Sequence, residues 1–378
     1  METSIYLDHA ATTPLDREVL EKMTPYLTAY FGNADSPHAV GRKAMSAVDC
    51  ARDKVAQLIN ASPNEIYFTC GGTEADNWAI LGGARAKRKD GKNRVLISSI
   101  EHHAALFAAQ TLQEEGFCIV YLPVNANGEV ELKTVREAID DETALVCVMS
   151  ANNETGVLQP IEEICKIAHE HGALFFTDAV QYAPYKPIDV KKTGVDMCSF
   201  SAHKFYGPKG AGALYIKNGV RVEKLIGGGE QERGLRGGTL NVPAIVGLAA
   251  AYEKACQERE ENAKKLAFLS DLFLKELSAI DGVTRNGENA LPSVLNLRFA
   301  GVENTALLYG ADLKGVHMAA GSACASASVK PSHVLTAMGL TESEAKECVR
   351  ISLGKDNTQE EIVRAARILI ETVNRLRG

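Results

Sequence analysis

Residues Ser199 to Lys204 read Ser-Phe-Ser-Ala-His-Lys, and a glycine-rich run, Gly207 to Gly212, follows at once. The stretch Asp196 to Phe200 is apolar enough for a short buried strand, so Ser201, His203 and Lys204 cluster where that strand ends. A lysine at such an exit is a poor core residue. It is well suited to be an amine that must be desolvated, lose its proton and attack a carbonyl. Taken alone, it is equally an ordinary strand-end lysine pointing to water.

Its company changes that reading. Four more apolar strands end in polar groups: Gly71-Gly72-Thr73, His102-His103, Asn152-Asn153-Glu154 and Asp178-Ala-Val-Gln181. Each has a plain structural account: a tight turn, a helix start, a turn pair and a satisfied carboxylate. Together they sit where an open α/β sheet binds ligands, beyond the carboxyl ends of its strands. Gly-Gly-Thr at a helix N-terminus offers N–H groups, a hydroxyl and a positive dipole end, a seat for phosphate. A flat histidine can stack on an aromatic ring, a buried Asp can keep a heterocyclic nitrogen protonated, and a lysine can form a Schiff base. Those are the needs of pyridoxal phosphate. The seat is no P-loop, since GxxxxGK followed by Ser or Thr is absent from it, and no GxGxxG follows a first strand. No His, Cys, Asp or Glu set has metal-ligand spacing; His102 and His103 are adjacent and would not face one ion from a helix.

The elements that must position these groups follow from periodicity. Helices are expected over residues 15–30 and 41–60, the latter with Ala44, Val48, Ala51, Val55 and Leu58 on one stripe. Phe31 to His38 is a loop punctuated by Gly32 and Pro37. From residue 65 the pattern alternates: strands at 65–69, 94–98, 117–124, 144–150, 173–177 and 196–200, with helices opening near 73 and 101 and another over 161–171. Continuous apolar strands alternating with helices predict a mostly parallel sheet covered on both faces. A long charged helix over 250–275 leads to a smaller unit with a strand at 293–298. Capping boxes at Thr341–Glu344 and Thr358–Glu361 open its last helices. The final helix carries Ile362, Ala365, Leu369, Val373 and Leu376 on one face.

The totals agree with an enzyme of ordinary composition. A chain of 378 residues supports a sizeable core, and its net charge of −7 argues against nucleic acid or an anionic membrane as partner. No apolar run reaches membrane-span length, and the N-terminus lacks the regions of a signal peptide. Nine scattered cysteines with no CxxC pair fit a reducing cytoplasm.

End to end, from Tyr6-Leu-Asp-His-Ala-Ala-Thr-Thr-Pro14 to Arg350-Ile-Ser-Leu-Gly354, the chain resembles the cysteine desulfurases of the NifS/IscS-like group. These are fold-type I, class V aminotransferase-like pyridoxal phosphate enzymes. The most specific stretches are Glu101-His-His-Ala104, Asn152-Asn-Glu-Thr-Gly156, Asp178 to Gln181, Ser201 to Gly210, Gly227 to Val242 and Gly321-Ser-Ala-Cys-Ala-Ser326. The resemblance implies a large, mostly parallel seven-stranded sheet domain over 14–257. It also implies a smaller α+β domain over 1–13 and 258–378, with a mobile catalytic-cysteine loop near 317–330. It assigns the cofactor to Lys204. His102 would stack on the ring and act in acid–base steps, Asp178 would pair with the ring nitrogen and Gln181 with the ring oxygen. Gly72, Thr73, Ser201 and His203 would hold the phosphate, completed by Thr239 from the second subunit of a homodimer with shared active sites. Asn153, beside the cofactor, and Arg350 would bind the substrate carboxylate region, a task that suits the arginine fork. Cys324 would take sulfur from L-cysteine as a persulfide, leaving alanine, and pass it to an acceptor such as an iron–sulfur scaffold or a thiolation protein in the cytoplasm.

Three departures from the family pattern stand out: Asn33-Ala-Asp-Ser36 for Asn-Pro-Ser-Ser, Cys70-Gly-Gly-Thr-Glu74 for Ser-Gly-Ala-Thr-Glu, and Lys355 in place of Arg. They are expected to tune the rim of the pocket. The chain also stops soon after its last helix, at Gly378, which favours a shorter NifS-like or specialised desulfurase over members with a longer scaffold-docking tail.

Overall fold

The computed structural model describes residues 4–321 and 331–378. Its strands are β1 (Ile5–Tyr6), β2 (Ile66–Thr69), β3 (Arg94–Ser98), β4 (Cys118–Leu122), β5 (Thr143–Cys147), β6 (Leu174–Asp178), β7 (Met197–Ser201), β8 (Gly212–Ile216), β9 (Val283–Asn286), β10 (Val294–Phe299), β11 (Val316–His317) and β12 (Cys348–Ser352). Seven of them form one sheet in the order β2-β8-β7-β6-β5-β3-β4. β8 runs antiparallel to both neighbours, and every other pairing is parallel. The carboxyl ends of β2, β3, β5, β6 and β7 therefore share one edge.

The apolar runs are continuous because both faces of the sheet are covered. Alternate residues enter opposite cores: Phe68 and Phe175 pack on one side, Tyr67 and Phe176 on the other. Each such buried side chain contributes about 2 kcal/mol relative to exposure. The first core is closed by α2 (Ala39–Leu58), through Ala44, Val48, Ala51 and Val55. The second is closed by α3 (Gly72–Arg88) and α4 (His103–Glu114), through Ala75, Trp78, Ala79, Ala105 and Ala108.

The helix Val242–Leu277 starts eight residues earlier than its charged pattern suggests, because its first turns are apolar and lie on the large sheet. Val242, Leu248 and Tyr252 belong to the large core, whereas Leu266, Leu269, Phe273 and Leu277 belong to a separate core. That second core also takes Ile5 and Leu7 from the N-terminus, Leu295 and Leu297 of β10, Val349 and Ile351 of β12 and the stripe Ile362–Val373. β10 lies between β9 and β12 in an antiparallel sheet, and β1 pairs in parallel with β11. Both expected capping boxes are formed. Among the described residues no helix is long and apolar enough to cross a membrane.

Strand β8 is absent from the sequence reading. Gly207, Gly210 and Gly212 masked it as loop, yet Gly212 is required there. A Cβ at this position would lie 2.7 Å from the Gly71 backbone, so β8 can enter the sheet beside the Gly-Gly turn only as glycine.

Candidate active site

The edge where five strands end opens into a cavity. Gly72, Thr73, His102, Asn153, Asp178, Gln181, Ser201, His203, Lys204 and Arg350 all line it, joined by Ala10, Ala11, Asp76, Met149 and Val180. Two of the sequence-predicted residues are not among these. Thr239 is exposed on the loop before the long helix. Cys324 lies outside the described residues, as does most of the loop expected around it.

Local structure aims each group. Asp178 and Ser201 are the last residues of β6 and β7, and a single 3-10 turn, Ala202–Lys204, carries the lysine. Tyr206 then adopts a left-handed φ of 62°, held by its N–H donating to Thr13 Oγ1 at 2.8 Å. A non-glycine residue there costs about 1–2 kcal/mol. The ammonium of Lys204 donates to the carbonyls of Ala10 at 2.5 Å and Ala11 at 2.8 Å. His102 is the N-cap of α4: its Nδ1 accepts the Ala104 N–H at 3.2 Å, so the ring proton sits on Nε2. Burial first, then the Lys204 charge, brings His102 down to about 4, so the ring is neutral at neutral pH. His203 is lowered to about 4 for the same reasons, and its Nδ1 lies 3.1 Å from Thr12 Oγ1.

Asp178 is fully buried. Burial raises it to about 6, opposed by the Val180 N–H, which donates to Oδ1 at 2.8 Å, and by the Lys204 charge. It is therefore ionised at neutral pH. Gln181 Nε2 donates to the Ala10 carbonyl at 2.8 Å. Arg350 is 1% exposed. Its Nη1 donates to the Asn153 carbonyl at 2.9 Å, its Nη2 to Asp8 Oδ1 at 2.8 Å, and its Nε has no partner. Arg350 lines the cavity, and its planar guanidinium matches an anion such as a carboxylate.

These residues fit pyridoxal phosphate. The first turn of α3 begins at Gly71 with no side chain capping it, which leaves its N–H groups for a phosphate. Gly72 is closely approached at that turn: a Cβ would lie 2.9 Å from Val180 Cγ2, so a larger residue there must displace the valine. Thr73, Ser201 and His203 surround the turn, and a neutral imidazole and an ionised carboxylate line the same cavity as the lysine. Among the described residues no group of three or more His, Cys, Asp or Glu is arranged to hold a metal ion.

The profile of the family described as Aminotransferase class-V matches residues 5–364. The chain belongs to that family. A cysteine desulfurase IscS of Clostridium botulinum is 46% identical over 382 residues, covering 100% of this chain and 96% of the relative. A putative cysteine desulfurase, IscS 1, of Bacillus subtilis is 48% identical over 376 residues, covering 98% and 99%. Among solved structures, a NifS-like protein superposes with a TM-score of 0.93 at 37% identity, covering 98% of this chain and 100% of that one. A structure of SspA in complex with cysteine superposes with a TM-score of 0.83 at 39% identity, covering 94% and 100%. The fold is that of the fold-type I pyridoxal phosphate enzymes expected from the resemblance.

Several members of the site escaped the sequence reading. The carbonyls of Ala10 and Ala11 carry no side-chain signal. Asp76 could have been noticed as an acid on the buried face of α3, between Ala75 and Ala79. Of the departures from the family pattern, Gly72 lines the cavity, whereas Asn33 to Ser36, Cys70 and Lys355 do not. Cys70 is exposed beside Glu74. Lys355 instead bridges Asp16 at 2.8 Å and Glu258 at 3.1 Å and stacks over Tyr206. A lysine's flexible point charge can serve two carboxylates that far from the rim.

Proposed function

We propose that the protein is a pyridoxal phosphate-dependent cysteine desulfurase. It releases L-alanine from L-cysteine and keeps the sulfur on Cys324 as a persulfide. The observation that carries this reading is the gathering of Lys204, Asp178, His102 and Arg350 around one cavity at the strand ends.

Bound pyridoxal phosphate supplies an electron sink for the substrate's α-carbon. The other steps fall to the chain. The N-terminus of α3, with Gly72, Thr73, Ser201 and His203, holds the phosphate. Asp178 keeps the ring nitrogen protonated, and Gln181 serves the ring oxygen. Neutral His102 packs on the ring face, with Nε2–H available as an acid. Lys204 would hold the cofactor, and its amine would take and return a proton at the substrate α-carbon. Arg350 and Asn153 orient the substrate carboxylate. The Cys324 thiolate forms a bond to the substrate sulfur as the C–S bond breaks. The electron pair stays with the substrate carbon, which takes up a proton and leaves in alanine.

The partner readings are part of the proposal. Thr239 is exposed and suits a phosphate contact made across a homodimer. Exposed apolar residues Leu20, Leu27, Phe31 and Val40 near the N-terminal end of the large domain support a subunit interface. A sulfur-acceptor protein, an iron–sulfur scaffold or a thiolation protein, takes the persulfide onward. The eight described cysteines are all free thiols, which suits a reducing cytoplasm.

The test is spectroscopic. Purified protein is expected to carry the visible absorbance of a lysine-bound pyridoxal phosphate and to lose that band on adding L-cysteine. Lys204→Ala is expected to lose the band and all alanine formation. A wild-type chain that takes up no cofactor would overturn the reading.

A further inference from the structure

Two buried carboxyl groups under the cavity have no task in the mechanism above. Asp76, the fifth residue of α3, is 1% exposed and lines the cavity. Its Oδ1 lies 2.6 Å from Ser199 Oγ. Ser199 is the register partner of Asp178 across β6 and β7, so the two side chains share one face of the sheet, and Ser199 favours the ionised form of Asp178. Glu101 is fully buried: Oε1 accepts the Met149 N–H at 2.7 Å, and Oε2 has no partner.

Three carboxyl groups so close cannot all be charged. The groups around Asp76 are Asp178 from β6, Ser199 and Cys198 from β7, Glu101 from the turn after β3, and Cys147 from β5. None is a cation. Burial, and then the charges of Asp178 and Glu101, push Asp76 well above the ordinary carboxylate range. The Lys204 charge and the Val180 N–H both favour the ionised form of Asp178. One hydroxyl between two carboxyls can donate to only one of them and must accept from the other.

We propose that Asp76 is a positioning residue for the cofactor. It stays a protonated acid that donates to Ser199, Ser199 donates to Asp178, and the single negative charge of the chain is kept on the carboxyl assigned to the ring nitrogen. The opposite order would place that charge on Asp76. The inference rests on pyridoxal phosphate being the occupant of the cavity.

Infrared difference spectra of the wild type, Asp76→Asn and Ser199→Ala, each with and without pyridoxal phosphate, test it. The wild type is expected to show the carbonyl band of a buried protonated acid. Asp76→Asn should remove one component of that band and leave the one from Glu101. Ser199→Ala should move the Asp76 component to higher frequency, since its hydrogen bond is gone. The same change should raise the dissociation constant for pyridoxal phosphate about three- to tenfold, the worth of one hydrogen bond. The Asp76→Asn amide can still donate to Ser199, so this variant should raise the dissociation constant less than Ser199→Ala does. Identical acid bands in the wild type and Asp76→Asn would mean that Asp76 is ionised and would overturn the inference. So would a Ser199→Ala protein with band and affinity unchanged. A chain that bound no pyridoxal phosphate, yet lost the band in Asp76→Asn, would instead refute the proposed function and the cofactor role resting on it.

Discussion

Arg350 and Asp8 form a hydrogen-bonded ion pair, Nη2 to Oδ1 at 2.8 Å, across a separation of 342 residues. Asp8 follows β1 and Arg350 lies in β12, so the pair ties the N-terminal arm to the arginine that lines the cavity. The Arg350 side chain is almost completely buried, and Asp8 neutralises it. Removing the acid leaves a buried charge short of a partner, which costs more than the lost bond alone. Asp8→Ala is expected to lower stability by about 2–3 kcal/mol in urea denaturation. It should also raise KM for L-cysteine more than it lowers kcat, because the fork is no longer held. An unchanged KM would separate Asp8 from substrate binding.

The buried position of Asp178 makes cofactor retention depend on pH. Its proton affinity without cofactor is raised to about 6. In the proposed mechanism the ionised form is the one that would hold a protonated ring nitrogen. Affinity for pyridoxal phosphate should therefore be flat above about pH 6 and fall below it, by up to about tenfold per pH unit. For folding of the cofactor-free chain the sign is opposite. A raised acid contributes stability that is full below its unfolded value of about 4 and is lost as pH rises through about 6. Fluorescence titration of cofactor binding between pH 5 and 8 checks the first statement. Asp178→Asn should bind more weakly, with the acid limb flattened.

Thr239 gives the homodimer reading a sharp consequence. If it completes the phosphate site of the other subunit, a Lys204→Ala chain and a Thr239→Val chain complement each other. The mixed dimer holds one site with both lesions and one with neither. Co-expression should restore about a quarter of wild-type activity, as expected for random pairing in a two-fold dimer. If Thr239 acted within its own chain, no activity would return.

Much of this site was legible because its chemistry sits at strand ends. Asp178, Ser201 and Lys204 follow apolar runs so closely that period alone puts them at one sheet edge. The first turn of α3 was readable from Gly71-Gly72-Thr73, and the closing helix from its capping box. What escaped depends on contacts between distant segments. Strand β8 looked like loop because the close approach of Gly212 to Gly71 demands glycine, the residue that also signals turns. The carbonyls of Ala10 and Ala11 reach Lys204 because distant segments pin the N-terminal arm: the Ala10 N–H donates to Ser352 Oγ and the Thr13 N–H to the His203 carbonyl, each at 2.9 Å. Lys355, expected to tune the rim of the pocket because it departs from the family pattern, is given by the fold to Asp16 and Glu258. Asp76 and Ser199 looked like routine polar residues until the register of β6 and β7 brought Ser199 beside Asp178.

The most direct measurement is alanine formed from L-cysteine by the purified, pyridoxal phosphate-loaded protein with a thiol reductant present, wild type against Cys324→Ala. The account predicts steady alanine production by the wild type and almost none by the variant, with cofactor absorbance the same in both. Equal alanine from the two proteins, or none from either despite bound cofactor, would contradict it.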